Sequence, residues 1–371
     1  MDVGGMRMTK AITLALSLLA LPAWADWQVN MNEGVTALSR EIFDLHMLIF
    51  WICVVIGVVV FGVMFYSIFK FRKSKGAVSE HWHENTTVEV VWTVIPSIIL
   101  IAMAVPATAT LMDMYDTSEA DVEIQVTGYQ WKWRYQYLNE DIDFFSNLST
   151  PREEITNVSA KNANYLLEVD NPLVIPVNKK VRFLITANDV IHSWWVPHFA
   201  VKKDAIPGFV NESWVKVEEP GVYRGQCTEL CGKDHGFMPV VVEVKSEADY
   251  AAWLADQKAM KLAMAGEASK EFSMDELIAK GEGVYNSACA GCHQLNGQGI
   301  SGAFPAITGS AIATGAIDAH IDIVVNGKTG TAMQAFKEQL SAADIAAVVT
   351  YQRNALGNAV GDLVQPSAIQ K

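Results

Sequence analysis

The sequence predicts a multidomain membrane protein that has a two-helix transmembrane hairpin, a β-domain and a C-terminal all-α domain. Two long apolar segments lie before residue 112, and short runs that alternate apolar and polar residues follow from Asp113. Beyond residue 246, two helix-start signals and a Cys-x-x-Cys-His motif indicate a third unit. A length of 371 residues fits two or three domains.

Net charge and cysteine usage narrow the function classes. The formal net charge is −13, which argues against a nucleic-acid partner because phosphates require a basic surface. Four of the five cysteines form two pairs with spacings typical of metal sites, so none is left for a disulfide framework. The fifth, Cys53, lies in an apolar run and is interpreted as a core or lipid-facing residue.

The N-terminus has the features of a secretory signal peptide. Arg7 and Lys10 precede an apolar run that ends in Ala-Trp-Ala at residues 23–25. This order of charge, apolar run and small residues predicts a signal peptide over residues 1–25, removed before Asp26. An uncleaved first helix is the alternative.

Residues 26–112 are predicted to form the hairpin, with spans at about 43–69 and 90–111. The first span is long enough to cross a hydrocarbon core of about 30 Å at about 1.5 Å per residue. Four basic residues follow it: Lys70, Arg72, Lys73 and Lys75. Positive charge marks the cytoplasmic side, so both ends of the hairpin are expected in the periplasm. A buried helix pair of a soluble protein is the alternative, which this length and charge disfavour.

Residues 113–245 are predicted to form a β-sandwich or barrel. The segment DVEIQVTG alternates with period two, and further runs such as YLLEV, VRFLITA and PVVVEV are separated by turn residues. Four aromatic residues also alternate in GYQWKWRYQY: Trp131, Trp133, Tyr135 and Tyr137. Aromatic core or interface packing explains such a face as well as a route for electrons does.

A copper site is predicted in the late loops of this domain. Cys227 and Cys231 stand four residues apart, His235 and Met238 follow, and His192 lies upstream. Thiolate, imidazole and thioether are ligands that suit copper. A mononuclear blue-copper site needs a single thiolate, so two thiolates favour a dicopper centre in which they bridge both ions. The backbone carbonyl of residue 229 is placed to complete the second ion.

Two other interpretations of this motif are weaker. A disulfide between Cys227 and Cys231 is possible in an oxidising compartment, but it leaves the histidine and methionine spacing unexplained. Zinc rarely binds methionine.

The C-terminal domain is predicted over residues 274–371, after a helical linker at 246–273. The motif Cys289-x-x-Cys292-His293 is the attachment signature of c-type haem, although Cys-x-x-Cys alone also occurs in redox dithiols and zinc sites. Met333, 40 residues further on, is predicted to be the sixth iron ligand, since methionine and histidine ligation raises the potential of an electron carrier.

The segments HSWWVP, KKDAIPGF and CTELCGKDHGFM resemble subunit II of the haem–copper cytochrome c oxidases, whose dicopper centre is called CuA. The resemblance runs from about residue 30 to 245 and implies a cupredoxin-like Greek-key barrel. It implies six copper ligands: His192, Cys227, Glu229 through its carbonyl, Cys231, His235 and Met238.

The resemblance also implies roles for three further groups. Trp131 is expected to lie where electrons enter the copper domain. Glu89 is expected at the mouth of a proton channel of the partner subunit. The Glu229 carboxylate is expected to bind magnesium or manganese at the interface with that subunit.

Ordinary subunit II ends near residue 250, whereas this chain continues into a segment that resembles a class I cytochrome c. The resemblance implies subunit II of a proton-pumping oxidase that takes electrons through haem c and dicopper and passes them to subunit I, where oxygen is reduced to water. The expected partners are subunits I and III, membrane lipid, and cytochrome c or a cytochrome bc complex as donor. The expected location is a bacterial inner membrane with both termini in the periplasm.

The same residues disfavour three other function classes. A copper-delivery module does not explain the added haem motif or the two-span hairpin. Nitrous oxide reductase would need a large His-rich propeller, and subunit II of quinol oxidases lacks these copper ligands.

Overall fold

The computed structural model describes residues 30–369, except residues 79, 80, 82 and 338. The predicted signal peptide at residues 1–25 therefore lies outside the described residues.

Two long apolar helices form the membrane-spanning hairpin, as predicted. Helix α1 covers Ala37–Lys70 and helix α2 covers Thr86–Tyr115, so both extend beyond the apolar spans inferred from sequence. Both are long and apolar enough to cross a membrane, and their apolar side chains face outwards. The Thr110 hydroxyl donates to the Glu41 carboxylate at 2.7 Å. This bond joins the two helices near the end from which the β-domain follows.

Ten strands follow in the described part of the chain. Their bounds are β1 Val122–Tyr129, β2 Lys132–Tyr137, β3 Ile142–Ser146, β4 Leu173–Pro176, β5 Val181–Ala187, β6 His192–Val196, β7 Val201–Ala205, β8 Asn211–Val215, β9 Gly221–Cys227 and β10 Pro239–Lys245. A single-turn helix, α3, covers Arg152–Ile155 between β3 and β4.

The strands form two five-stranded sheets. One has the order β3-β2-β1-β5-β8 and the other β4-β10-β9-β6-β7. Each contains one parallel pair, β1 with β5 and β10 with β4, and the other pairs are antiparallel. The expected strand in YLLEV does not form, because that segment makes only an isolated bridge from Val169 to Leu148. The rest of the alternating pattern is confirmed as a β-sandwich.

The aromatic alternation of β2 supplies the sandwich core. Trp133, Tyr135 and Tyr137 are almost completely buried. The Tyr137 hydroxyl donates to the Val174 carbonyl of the opposite sheet at 2.6 Å. Three of the four aromatic residues therefore pack the core, while Trp131 lies in the turn before β2 and is only half-buried.

Helix α4, Glu247–Glu267, leads away from the β-domain. Its start is capped by Ser246, whose hydroxyl accepts from the Asp249 amide. Trp253 packs on the ring of Tyr137, with 5.2 Å between centroids. The first turns of α4 are therefore fixed on the β-domain, and the helix covers most of the predicted helical linker at 246–273.

The C-terminal domain is helical, as predicted. Its helices are α5 Met274–Val284, α6 Ala290–His293, α7 Ile317–Asn326 and α8 Ala342–Asn354, with a π-helical turn at Tyr285–Cys289 between α5 and α6. A Cβ at Gly281 would lie 2.2 Å from the Ala347 carbonyl oxygen. Only glycine therefore allows α5 and α8 to cross this closely.

Candidate metal and haem sites

The candidate copper ligands meet at one end of the sandwich because two paired strands carry two of them. His192 begins β6 and Cys227 ends β9, and the two strands pair antiparallel with Trp194 opposite Cys227. Cys231 lies in the loop after β9, and Met238 lies just before β10. The loop turns back, so Cys231, His235 and Met238 lie close to the ends of the two strands.

The donor atoms lie within reach of a shared metal centre. The Cys227 and Cys231 sulfurs are 3.9 Å apart, and the His192 Nδ1 atom lies 3.9 Å from the Cys227 sulfur. The Cys231 sulfur lies 3.4 Å from His235 Nδ1 and 3.5 Å from the Met238 sulfur. His192, Cys227 and Cys231 are buried together.

The backbone carbonyl of Glu229 completes this set. Its oxygen lies 3.4 Å from the Cys227 sulfur, while the Glu229 side chain is exposed. Both cysteines are free thiols. Two thiols, two imidazoles, a thioether and a carbonyl fit copper better than zinc, which is bound by sulfur and nitrogen but rarely by methionine.

The two thiols shift each other's pKa in opposite directions. Their hydrogen bond lowers the pKa of Cys227, despite burial, and the bond to His192 acts in the same direction. The same hydrogen bond and burial raise the pKa of Cys231. Copper binds cysteine as thiolate, so metal binding must release the protons that the two sulfurs carry.

His192 is oriented by a residue that the sequence analysis missed. Its Nε2 atom lies 2.8 Å from the Asp189 carboxylate, which leaves Nδ1 directed at the sulfurs. Burial lowers the pKa of His192, but the hydrogen bonds with Asp189 and Cys227 outweigh it and the net shift is upwards. Outer carboxylates commonly orient metal-binding histidines in this way. An acid three residues before the histidine was the available sequence signal.

Residues of β1 and β2 also pack against the candidate copper ligands. The indole nitrogen of Trp133 donates to the Met238 carbonyl at 3.2 Å, and its ring lies edge-on to His192 at 5.9 Å. A Cβ at Gly128 would lie 2.7 Å from the His192 ring, so only glycine leaves room for the imidazole there.

Trp131 contacts the candidate metal loop directly. Its indole nitrogen donates to the Cys231 carbonyl at 3.3 Å, and the side-chain amide of Gln130 donates to the same oxygen at 2.8 Å. The peptide bond between Gln130 and Trp131 is cis. Gly232 packs beneath both side chains, at 3.0 Å from each when a Cβ is added.

Glu89 lies far from this cluster, at the start of α2. Its carboxylate accepts from the Asn85 amide at 3.2 Å, while the Asn85 side chain accepts from the Val88 amide. Both bonds satisfy free amides at the helix N-terminus, so the residue has a capping role whether or not it handles protons.

The C-terminal domain brings together the residues of the haem motif. The Nδ1 atom of His293 lies 2.8 Å from the Pro305 carbonyl, so Nε2 is the nitrogen that could bind iron. Cys289, one turn before His293, and Cys292, immediately before it, are free, half-buried thiols. The half-buried Met333 packs against the core of the same domain. Thiols, imidazole and thioether therefore fit a covalently attached haem.

Fold and site together define a membrane-anchored protein whose β-sandwich carries a candidate metal site. Three family models match: "Cytochrome C oxidase subunit II, periplasmic domain" over residues 122–245, the transmembrane domain of that subunit over 24–109, and "Cytochrome C oxidase, cbb3-type, subunit III" over 276–351.

Known relatives agree with these matches. The probable cytochrome c oxidase subunit 2 of Rickettsia bellii is 42% identical over 246 residues, which cover 66% of this chain and 88% of the relative. Cytochrome c oxidase subunit 2 of Arabidopsis thaliana is 37% identical over 62% of this chain and 90% of its own. The crystal structure of the periplasmic domain of CoxB from Bradyrhizobium japonicum is 41% identical over 39% of this chain and 98% of that domain, with a TM-score of 0.35.

The chain belongs to the cytochrome c oxidase subunit II family and is thus part of a haem–copper oxidase. Membership implies copper in the β-sandwich, and the C-terminal match implies haem. The two apolar helices agree with an inner-membrane protein that has a periplasmic domain.

We expect Cys227→Ser and Cys231→Ser each to abolish a dicopper centre, because a hydroxyl does not bridge copper as a thiolate does. Copper analysis of the purified chain should show the loss of both ions or a mononuclear remnant. Cys53→Ser, in the first membrane helix, is the matched control and should keep the full copper content. An unchanged seven-line paramagnetic spectrum in either of the first two variants would contradict the ligand assignment.

Proposed function

We propose that this chain is subunit II of a proton-pumping terminal cytochrome c oxidase and carries electrons from cytochrome c to subunit I, where oxygen is reduced to water. The observation that carries the proposal is the ligand cluster at the end of the sandwich, with donor atoms 3.4–3.9 Å apart. Two thiols, two imidazoles, a thioether and a carbonyl are ligands that suit copper, and this set supports electron transfer better than bond-making chemistry.

The proposed copper centre is binuclear, and Cys227 and Cys231 would hold both ions. His192 and Met238 would complete the ligands of one ion, and His235 with the Glu229 carbonyl would complete those of the other. A dicopper centre shares one electron over two metals, so its bonds change little on reduction. The buried residues around it keep the ligands fixed, and the Asp189 carboxylate holds the imidazole of His192.

The proposed haem c is attached through Cys289 and Cys292, with His293 and Met333 as iron ligands. The Pro305 carbonyl fixes the histidine ring for this purpose. A thioether ligand raises the potential of the haem, which suits a group that accepts electrons from an external cytochrome.

The order of electron flow is proposed as haem c first and copper second. Residues 246–273 tether the two domains, and a short tether gives an effective concentration on the order of mM. The side chain of Gln334, in the C-terminal domain, also bonds the backbone next to Trp131. A diffusing donor therefore competes poorly for this face, and Trp131 lies on the route to the copper ligands.

The proposed partners follow from this role. Subunits I and III surround the two apolar helices in the lipid bilayer, and cytochrome c or a cytochrome bc complex supplies electrons. The proposed location is a bacterial inner membrane, with both termini and the two redox domains in the periplasm.

We expect haem c to be reduced before copper when the purified oxidase is mixed with reduced cytochrome c in a stopped-flow instrument. Trp131→Ala should leave haem c reduction fast and slow the reduction of copper, because the indole links the domain face to the Cys231 carbonyl.

Met333→Leu should lower the haem potential, since the thioether is lost.

The exposed Trp92, on the second membrane helix, gives the control Trp92→Ala, which should slow neither step. If copper is reduced before haem c in the wild type, or if Trp131→Ala slows neither reaction, the C-terminal domain is not where electrons enter.

We further propose that the exposed Glu229 carboxylate binds magnesium or manganese at the interface with subunit I, since hard cations prefer carboxylate oxygen. Glu229→Ala should lose that ion in metal analysis of the complex and keep most of the copper, because only the backbone carbonyl faces the sulfurs. Glu219→Ala is the control acid in the same domain. Joint loss of copper and the hard cation would show that the two roles are not separable.

Glu89 is proposed to lie at the mouth of a proton channel in subunit I. Glu89→Gln should slow turnover of the assembled oxidase while copper and haem c contents stay intact, because an amide cannot take up a proton but can still accept from the Asn85 amide. Glu84→Gln, just before α2, is the control. Wild-type turnover in Glu89→Gln would leave the residue with its capping role alone.

A further inference from the structure

The C-terminal domain contacts the β-domain on both sides of Trp131. The side-chain amide of Gln334 donates to the backbone carbonyl of Gln130, with 3.0 Å between nitrogen and oxygen. The ammonium group of Lys132 lies 5.6 Å from the ring centroid of Phe336, which belongs to the C-terminal domain. The residues immediately before and after Trp131 are therefore both engaged by the haem-binding unit.

A third contact shows which side of the C-terminal domain faces the β-domain. The Lys233 ammonium donates to the Gly291 carbonyl at 3.4 Å, between the two cysteines of the haem motif. Burial lowers the pKa of Lys132 to about 8, and the nearby Cys289 thiol opposes this shift. The haem-attachment side is thus turned towards the β-domain.

The Gln334 amide is held in the orientation that this contact needs. The side chain of Gln339 donates to the Gln334 amide oxygen at 3.2 Å and to the Ala335 carbonyl at 2.7 Å. With its oxygen engaged on this side, Gln334 presents its NH₂ group to the Gln130 carbonyl. The amide orientation is assigned from this hydrogen-bond network.

Gln130 is the junction at which this contact meets the candidate copper site. Its backbone amide donates to the Asp189 carboxylate at 2.7 Å, and its side chain donates to the Cys231 carbonyl at 2.8 Å. Asp189 in turn lies 2.8 Å from His192. A single residue therefore receives the Gln334 bond and supports two of the proposed copper ligands.

We propose that Gln334 is a positioning residue that docks the C-terminal domain on the β-domain in a fixed orientation. Gln334 follows Met333 directly in the chain, and its side chain donates to the Gln130 carbonyl. The Gln130 side chain in turn donates to the Cys231 carbonyl, so two hydrogen bonds connect the Met333 loop with the Cys231 loop. Its effect on electron flow rests on the proposed function above, whereas the docking itself does not. The docked domain occupies the face beside Trp131, so an external donor delivers its electron to the C-terminal domain.

The docking is tested by hydrogen exchange on the full chain in its assembled, copper- and haem-loaded complex. Gln334→Glu removes the donor and sets a carboxylate against the Gln130 carbonyl. A net hydrogen bond is worth about 0.5–1.5 kcal/mol, so exchange in peptides covering residues 128–134 and 328–337 should quicken about two- to tenfold. Gln298→Glu makes the same charge change on an exposed residue of the same domain and should not alter exchange there.

The effect on electron transfer is tested by stopped flow with the same variants. Gln334→Glu should leave haem c reduction by cytochrome c unchanged and slow the following copper reduction about two- to tenfold. Gln339→Leu removes the bond that orients the Gln334 amide and should act in the same direction more weakly. Because it leaves residue 334 intact, it keeps the proposal testable if the glutamate disturbs the haem spectrum.

The outcomes separate the docking proposal from the proposed order of electron flow. Wild-type exchange in both Gln334→Glu and Gln339→Leu would overturn the docking role, as would equal quickening in Gln298→Glu. A slowed copper reduction in Trp131→Ala alone would then leave the proposed electron order standing. Copper reduction ahead of haem c in the wild type would instead overturn the electron order, while exchange that depends on Gln334 would still support docking.

Discussion

The closeness of two buried thiols is the constraint on which the β-domain depends. The Cys227 and Cys231 sulfurs lie 3.9 Å apart, where two thiolate charges in a region of low dielectric would repel strongly. Without metal, the hydrogen bond between the two groups lowers the pKa of Cys227 and raises the pKa of Cys231, which opposes a second negative charge. Cations held by both sulfurs would remove this repulsion, so the same closeness suits the proposed metal centre.

The sandwich keeps the ligands close when no metal holds them. His192 and Cys227 sit on paired strands, so their separation is set by backbone hydrogen bonds and not by loop conformation. The two strands approach closely because Gly225 lacks a side chain: a Cβ there would lie 1.8 Å from the Trp195 carbonyl oxygen. Ligands on rigid elements with a bonded outer shell hold their geometry better than ligands on loops alone.

Residue chemistry and spacing predicted the parts of the site that lie close together in the sequence. The segments 227–238 and 289–293 are each short and continuous, and the types of their side chains alone indicate copper and haem. Alternation likewise predicted the buried face of β2. The YLLEV segment shows the limit of predicting strands from alternation. Its residues suit a strand, but in the structure the segment makes only an isolated bridge from Val169 to Leu148.

The supporting residues could not be predicted because they act across long sequence separations. Gln130 meets Asp189 across 59 residues and Gln334 across 204. Nothing in the local sequence of Gln130 or Gln334 indicates its partner, whereas Asp189 stands three residues before the histidine that it orients. The roles of the two glutamines come from the position at which the two domains meet, which is a property of the tertiary fold.

A tether and a docking contact do different physical work in this chain. The linker sets how often the two domains meet, since effective concentration depends on its length and stiffness. It does not by itself set which way they face: Trp253, Lys258 and Lys261 fix α4 on the β-domain, but residues 268–273 separate α4 from the helices of the C-terminal domain. Orientation therefore needs specific contacts, and those found here flank Trp131. Since Gln130 and Asp189 tie these contacts to Cys231 and His192, hydrogen bonds connect the docking face with the candidate copper ligands.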